Sequence, residues 1–488
     1  MIAEPLSVIY LRSINSSKLP SQWLTADITP IFKKGVSSDP SNYRPVSLTS
    51  VCCKVLESII NDNLIKYLKD HSIISKTQHG FLKRRSTCSQ LLECVSDWSR
   101  ALDEGFPSDV IYIDFAKAFD SVSHPKLLHK LKAYGIRGIL HNWFSSFLSN
   151  RSQRVKIEEY YSGYTEVLSG VPQGSVLGPL LFLIFINDLE LVLPHVKMKL
   201  FADDVKIYST LKVPYEADSL TIQSSLNELQ SWALCWQLKV SEPKCNVLHI
   251  GNKNPNNTYT INQHDLPAVT NCRDLGVIIS NNLKFKDHCL SIVAKAYKMT
   301  NILFRCFQTA NKQALLTAYK AYVVPILEYC SPVWSSQFLL DIDMIERVQR
   351  YFSRRLFARL GLNPETPYIQ RLAFLRLDPL ELRRIRHDLV FCYKIVHHDI
   401  DLNFNDFFEL RPTNSLTTRG HSLCFYIKQA RIDVLKDSFA FRSAPVWNSL
   451  PEYISGFPLV RAANISLFKK RLKLVDLNRF LKFNRNLI

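Results

Sequence analysis

Residues 198–209 read MKLFADDVKIYS, two short apolar runs with the paired carboxylates Asp203-Asp204 between them. Runs of this length, alternating apolar and polar positions, predict strand–turn–strand with the aspartates at the turn. Carboxylates stay ionised beside a core only where something positive compensates them. Two divalent cations about 3.5–4 Å apart would do so, and Mg²⁺ favours hard oxygen ligands completed by substrate phosphates. Taken alone, an adjacent Asp pair is more commonly a turn whose side chains cap backbone amides. About 90 residues upstream, Ile111-Tyr112-Ile113 is short and β-branched and reads as a buried strand ending in a third carboxylate, Asp114.

Working outward, apolar residues recur at helical spacing from Val51 to Leu68 in two lines: Val51, Val55, Ile59, and Leu56, Ile60, Leu64, Leu68. Arg154 to Ile157 alternates like a strand, Leu180 to Leu189 reads as a buried helix, and Leu275 to Phe285 reads as a hairpin turning at Asn281-Asn282. Beyond about residue 290 the pattern is mainly helical and more basic. Mixed α/β therefore comes first and mostly α follows. The length of 488 residues suggests three units. Apolar residues at 47% exclude global disorder. An excess of 18 positive charges, from 61 Lys and Arg against 43 Asp and Glu, predicts a polyanionic partner, nucleic acid before membrane. The longest apolar run, Val176 to Ile186, is too short to span a bilayer, and no secretory signal is read at the start. The 12 cysteines form no CxxC pair. An intracellular, reducing location is expected, nuclear or cytoplasmic.

Three segments in order, YIDFAKAFDSV (112–122), SGVPQGSVLGPLLFLIFINDL (169–189) and LFADDVKIY (200–208), resemble motifs A, B and C of reverse transcriptases. The resemblance is specifically to LINE-type non-LTR retrotransposons of the Jockey and chicken-repeat kind. ITPIFKKG (28–35), NYRPVSLTS (42–50) and QHGFLKRRST (78–87) resemble that family's fingers motifs, SEPKC (241–245) its motif D, and CRDLGVIISNNLKF (272–285) its primer-grip hairpin.

The resemblance implies an α+β right-hand polymerase. Fingers and palm would occupy 1–285, a helical thumb 286–360, and a basic, mostly helical region 361–488. The implied reaction is RNA-directed addition of dNTPs to a DNA primer 3′-hydroxyl, with two Mg²⁺ ions or Mn²⁺ in their place. Asp114 and Asp203 match the metal ligands, with Asp204 supporting them, and Lys244 matches the motif D lysine that donates a proton to pyrophosphate. Phe119 matches the aromatic gate against a ribose 2′-hydroxyl, Gln173 and Gly174 the motif B turn, and Arg44 the residue that packs on the incoming triphosphate. Lys33, Lys34, Arg84 and Arg85 are read as further phosphate or template contacts. Asp120, six residues from Asp114, is read as structural. The P-loop pattern GxxxxGK[ST] is absent.

In DIDMIERVQRYFSRRLFARL (341–360), Ile345, Val348, Phe352 and Leu356 share one helical face, with Arg347, Arg350 and Arg354 opposite. Those arginines are expected along template–primer phosphates. DPLELRRIRHDLV (378–390), TTRGHS (417–422) and FRSAPVWNSLP (441–451) also resemble the ends of these element proteins, and from Arg461 onward eight Lys or Arg face one Asp. The family's endonuclease would lie upstream of the fingers, so a fragment of a longer element product, with target DNA as a further partner, is expected. The rival readings are a catalytically inert RNA-binding remnant and another retroelement-type polymerase, an intron maturase or a telomerase-like enzyme.

Overall fold

The computed structural model describes residues 2–411 and 421–483. Residues 417–420 of TTRGHS and the last five of the basic tail lie outside them. The chain starts with helix α1 (Ala3–Ser16), strands β1 (Thr25–Phe32) and β2 (Tyr43–Leu48), and helices α2 (Val51–Asp70) and α3 (Thr87–Asp103). Strand β3 (Ser108–Ile113), helices α4 (His124–Ala133) and α5 (Gly138–Leu148), strand β4 (Ser152–Ile157) and helix α6 (Leu177–Ile186) follow. Next come the hairpin β5 (Lys197–Phe201) and β6 (Asp204–Thr210), helix α7 (Tyr215–Trp236), β7 (Asn246–Ile250) and β8 (Ala268–Val269). A second hairpin, β9 (Asn271–Asp274) and β10 (Val277–Ser280), leads into helices α8 (Lys286–Cys306), α9 (Lys312–Tyr322), α10 (Leu339–Arg359), α11 (Leu380–Val396) and α12 (Phe439–Asn448).

The central sheet has the order β8-β7-β3-β6-β5, with β3 antiparallel to both β6 and β7. Strand side chains alternate between faces. Ile111, Ile113, Val205, Ile207 and Val247 pack on one side against α2, α4, α5, α6 and α7. Val110, Tyr208, Leu248 and Ile250 pack on the other against α3, the β9–β10 hairpin and the C-terminal helices. That second core runs without a break from Leu91 to Leu481. Helix α6 is apolar on all sides and buries every residue except Pro179, as a helix at the centre of a fold must. An outer sheet pairs β1 antiparallel with β2 and parallel with β4.

The strand–turn–strand around Asp203-Asp204 forms as the alternation predicts, with Phe201 opposite Asp204. Of the two apolar lines on α2, the second is buried, whereas Val51 (74%), Val55 (45%) and Ile59 (51%) face solvent. The downstream hairpin forms but turns at Leu275-Gly276, not Asn281-Asn282: both residues take positive φ, the signature of a tight two-residue connection. Asn281 and Asn282 instead make the turn into α8, Asn281 N–H donating to Thr270 O and Asn282 Oδ1 accepting from Lys284 N–H. Among the described residues no helix is long and apolar enough to cross a membrane.

Candidate functional site

Strand β3 ends at Ile113, and the next residue is Asp114, whose carbonyl accepts from Ser241 N–H at 2.8 Å. That bond brings the SEPKC turn alongside, and Lys244 Nζ lies 3.4 Å from Asp114 Oδ2. Strand β6, next to β3, begins at Asp204, so Asp203 and Asp204 project from the same end of the sheet as Asp114. Burial raises the Asp203 carboxyl, and the charge of Asp114 raises it further against the opposing pull of Lys33 and Arg44. Asp204 reaches solvent at its edge, yet crowding by protein pushes it up to about 6, with Asp203, Asp274 and Asp114 adding to the rise and Lys206 opposing it. Asp114 thus raises the cost of ionising Asp203, both raise that of Asp204, and the donor set is entirely hard oxygen.

Arg44, on β2 opposite Ile31, and Lys33, whose N–H donates to Asn42 O at 2.8 Å, supply the positive field at Asp203. Gln173 Nε2 donates to Asp120 Oδ1 at 2.8 Å, and Gln173 O accepts from Ser47 N–H at 2.6 Å. Gly174 has φ +123°, and a Cβ there would sit 2.3 Å from Ser47 O, so only glycine lets this turn close on β2. Phe119 stacks on Phe182 of α6 with centroids 4.3 Å apart, and Phe81 meets it edge-on at 6.3 Å.

Other expected contacts lie elsewhere. Lys34 is exposed on the loop after β1. Arg84 is exposed, and its carbonyl accepts from Asp401 N–H at 2.9 Å. Arg85 turns inward, Nη1 donating to Lys76 O at 2.7 Å and Gln78 O at 2.5 Å, with Asp401 3.5 Å away. On α10, Arg347 and Arg350 share Asp343 at 2.7 and 2.9 Å, and Arg354 pairs with Glu365 at 2.5 Å. The structure therefore gathers Asp114, Asp203, Asp204, Lys244, Lys33 and Arg44 in one place and leaves the α10 arginines to local acids.

A profile described as reverse transcriptase (RNA-dependent DNA polymerase) matches residues 31–279, just over half of the chain. The chain belongs to the reverse transcriptase family. Among its relatives is the RNA-directed DNA polymerase from mobile element jockey of Drosophila melanogaster, 27% identical over 368 residues, covering 72% of this chain and 39% of that protein. The jockey polymerase of Drosophila funebris is 28% identical over 372 residues with the same two shares. This chain thus spans about two-fifths of the length of the curated relatives it matches. Among solved structures, apo telomerase from Candida Tropicalis overlays at TM-score 0.42 and 11% identity, covering 82% of this chain and 71% of that one, too loosely to carry a role across.

Within this reverse transcriptase fold, several supporting residues escape a reading of the sequence. Glu57 is wholly buried, and its Oε2 accepts from Val176 N–H at 2.8 Å and Leu177 N–H at 3.0 Å, capping the start of α6. Lys206 and Asp274 form a buried pair joining β6 to β9. Asp120, read as structural, is the partner that holds the Gln173 amide. Of Glu57, Lys206 and Asp274, Glu57 left a trace in the sequence, as a carboxylate beside the buried line of α2.

Proposed function

We propose that this chain is an RNA-directed DNA polymerase that extends a primer 3′-hydroxyl with deoxynucleotides. The observation that carries the reading is the convergence of Asp114, Asp203 and Asp204 at one end of the central sheet, facing Lys33 and Arg44. Residues 1–285 would be fingers and palm, 286–360 the thumb, and 361–488 a basic helical extension.

The donor set fits divalent cations. The support is the donor type, oxygen carboxylates gathered at an open edge; among the described residues no group of three or more His, Cys, Asp or Glu side chains is arranged to hold a metal ion by itself, so substrate phosphates and water would have to complete the shell. Mg²⁺ commonly takes one or two carboxylates and completes its shell with substrate phosphates and water. Asp114 and Asp203 would hold two Mg²⁺ ions, or Mn²⁺ in their place, with Asp204 beside them. Such ions, when bound, lower the pKa of the primer hydroxyl and neutralise charge on the departing pyrophosphate.

Arg44 and Lys33 are assigned to the incoming triphosphate and Lys244 to proton donation to pyrophosphate. Gln173 and Gly174 set the floor under the templating pair, and the Phe119 ring excludes a ribose 2′-hydroxyl. Arg85, turned inward onto Lys76 O and Gln78 O, is left to a structural role, whereas Lys34, Arg84 and the three α10 arginines are proposed as contacts to the template–primer backbone. For Arg347, Arg350 and Arg354 this requires exchanging a surface ion pair for a phosphate, an inexpensive exchange at exposed sites. The RNA template, the DNA primer or target and the dNTPs are the proposed partners.

Purified protein with Mg²⁺, an RNA template and a DNA primer is expected to incorporate dNTPs, and Asp203→Asn to abolish incorporation. Tight, salt-sensitive RNA binding with no incorporation by the wild type would replace the proposal with an inert RNA-binding role.

A further inference from the structure

We infer that Gln78 is a positioning residue for the Asp203 carboxylate, acting through the backbone of Ala202; this rests on the polymerase reading above. Ala202 has φ +57°, a conformation that a residue with a Cβ rarely adopts without support. Support comes from a segment more than 120 residues upstream. Gln78 is 2% exposed, and its Oε1 accepts from Ala202 N–H at 2.9 Å and Gly80 N–H at 2.7 Å. Both donors are backbone N–H groups, so the amide can face them only with its oxygen. Its Nε2 is covered and has no partner among the described residues.

That oxygen is itself held still. Leu200 N–H donates to Thr77 O at 3.0 Å and His79 N–H to Leu200 O at 2.8 Å, laying the segment along the outer edge of β5. Gly80 permits the approach, because a Cβ there would lie 2.4 Å from Ala202 N. Arg85 fixes the Gln78 carbonyl, and His79 meets Glu93 at 3.1 Å, which in turn holds Lys199 of β5 at 2.6 Å. Ala202 immediately precedes Asp203. Relaxing its φ would therefore swing the carboxylate away from Asp114, where small displacements of a reacting geometry are costly. The segment QHGFLKRRST thus reaches the catalytic end of the sheet through Gln78, a part its basic residues do not suggest.

The test compares Gln78→Met, which keeps the length and loses the acceptor, with Gln78→Glu, which keeps an acceptor. In primer extension, Gln78→Met is expected to lower kcat by about 10- to 100-fold while the dNTP KM stays within about threefold, and Gln78→Glu to recover most of the loss. Amide hydrogen exchange, which needs no activity, is expected to quicken at Ala202 in Gln78→Met and to stay unchanged along β3. Unchanged kcat and unchanged Ala202 exchange in Gln78→Met would overturn the inference. So would equal loss of kcat in both variants without faster exchange at Ala202. Faster exchange at Ala202 in a chain whose wild type never extends a primer would uphold the clamp and sink the polymerase reading instead.

Discussion

Removing one member of the buried Lys206–Asp274 pair gives the sharpest energetic prediction. Lys206 is 2% exposed and Asp274 5%, and the pair ties β6, two residues beyond Asp204, to the β9–β10 hairpin. Burial would lower the Lys206 ammonium, but the Asp274 carboxylate, then Cys94 and Asp204, hold it above the ordinary lysine value. The other group near its Nζ is the Tyr112 ring, 5.8 Å away. Asp274→Ala therefore leaves a buried cation with only Cys94, Asp204 and that ring for compensation. Breaking a buried pair costs about 3–5 kcal/mol, and the residual attraction of Asp204 places this case near the lower figure. Lys206→Met/Asp274→Leu removes both charges and fills the space, so it should lie within about 1 kcal/mol of wild type. A chain this long does not unfold in two states, so the assay is native-state hydrogen exchange at Ile207 and Tyr208 of β6. A single variant costing under about 1 kcal/mol would refute the reasoning, as would a double variant as unstable as the single. In the latter case the damage would come from lost packing, not from a stranded charge.

A second prediction concerns acid stability. His288, buried at the start of α8, accepts from Ile278 N–H at 3.3 Å and meets Trp334 edge-on, and burial, then Arg273 and Lys295, lowers it to about 4. A base whose pKa falls on folding takes up its proton first in the unfolded chain. Its contribution is thus complete above about 6.5 and lost as pH falls from there toward 4, worth about 3 kcal/mol at most. Thermal unfolding of wild type and His288→Phe should diverge across that window, and parallel pH profiles would remove His288 from the account. Third, Phe119→Ala should erode discrimination against ribonucleotides by about tenfold or more in single-nucleotide incorporation. Unchanged discrimination would show that the ring only packs on Phe182.

The central hairpin was legible because strand alternation is local: MKLFADDVKIYS carries its period, its turn and its charge within twelve residues. The second hairpin was misplaced by a few residues because Asn-Asn is ordinarily the better turn former, whereas Leu275 accepts positive φ only because Gly276 follows and tertiary packing holds it. On α2, both apolar lines have helical spacing, and nothing within the helix tells which one meets α6. The Asp343 partner of Arg347 lies one turn away and could have been read from spacing. Glu365, which holds Arg354, lies beyond the end of α10 and could not. Asp114 and Asp203-Asp204 were singled out because the segments around them resemble reverse transcriptase motifs A and C, whereas an adjacent aspartate pair alone points to a turn. Gln78, Glu57 and Asp274 were missed because each has a partner 68 to 124 residues distant, in two of the three cases a backbone group, which every sequence offers at every position.

These missed contacts also bear on how the site stays in shape. Gln78 holds Ala202, Asp120 holds Gln173, and Glu57 holds the first amides of α6; in each case a side-chain oxygen accepts from an N–H group. None of these bonds needs a bound ion, since the accepting oxygens Gln78 Oε1, Asp120 Oδ1 and Glu57 Oε2 all take their N–H groups from within the protein. Burial and the charge of Asp114 raise the cost of ionising Asp203, and burial and the charge of Asp203 raise that of Asp204, so this repulsion works against the fold. The clamps and the repulsion act on the same few turns with opposite sign. Under the proposed polymerase reading, a site built this way would hold its oxygens in place before a cation arrives, so cation binding would not need to organise the turns. The clamping falls on hydrogen bonds within the protein, which in the proposed polymerase would keep the open edge free for phosphate and primer.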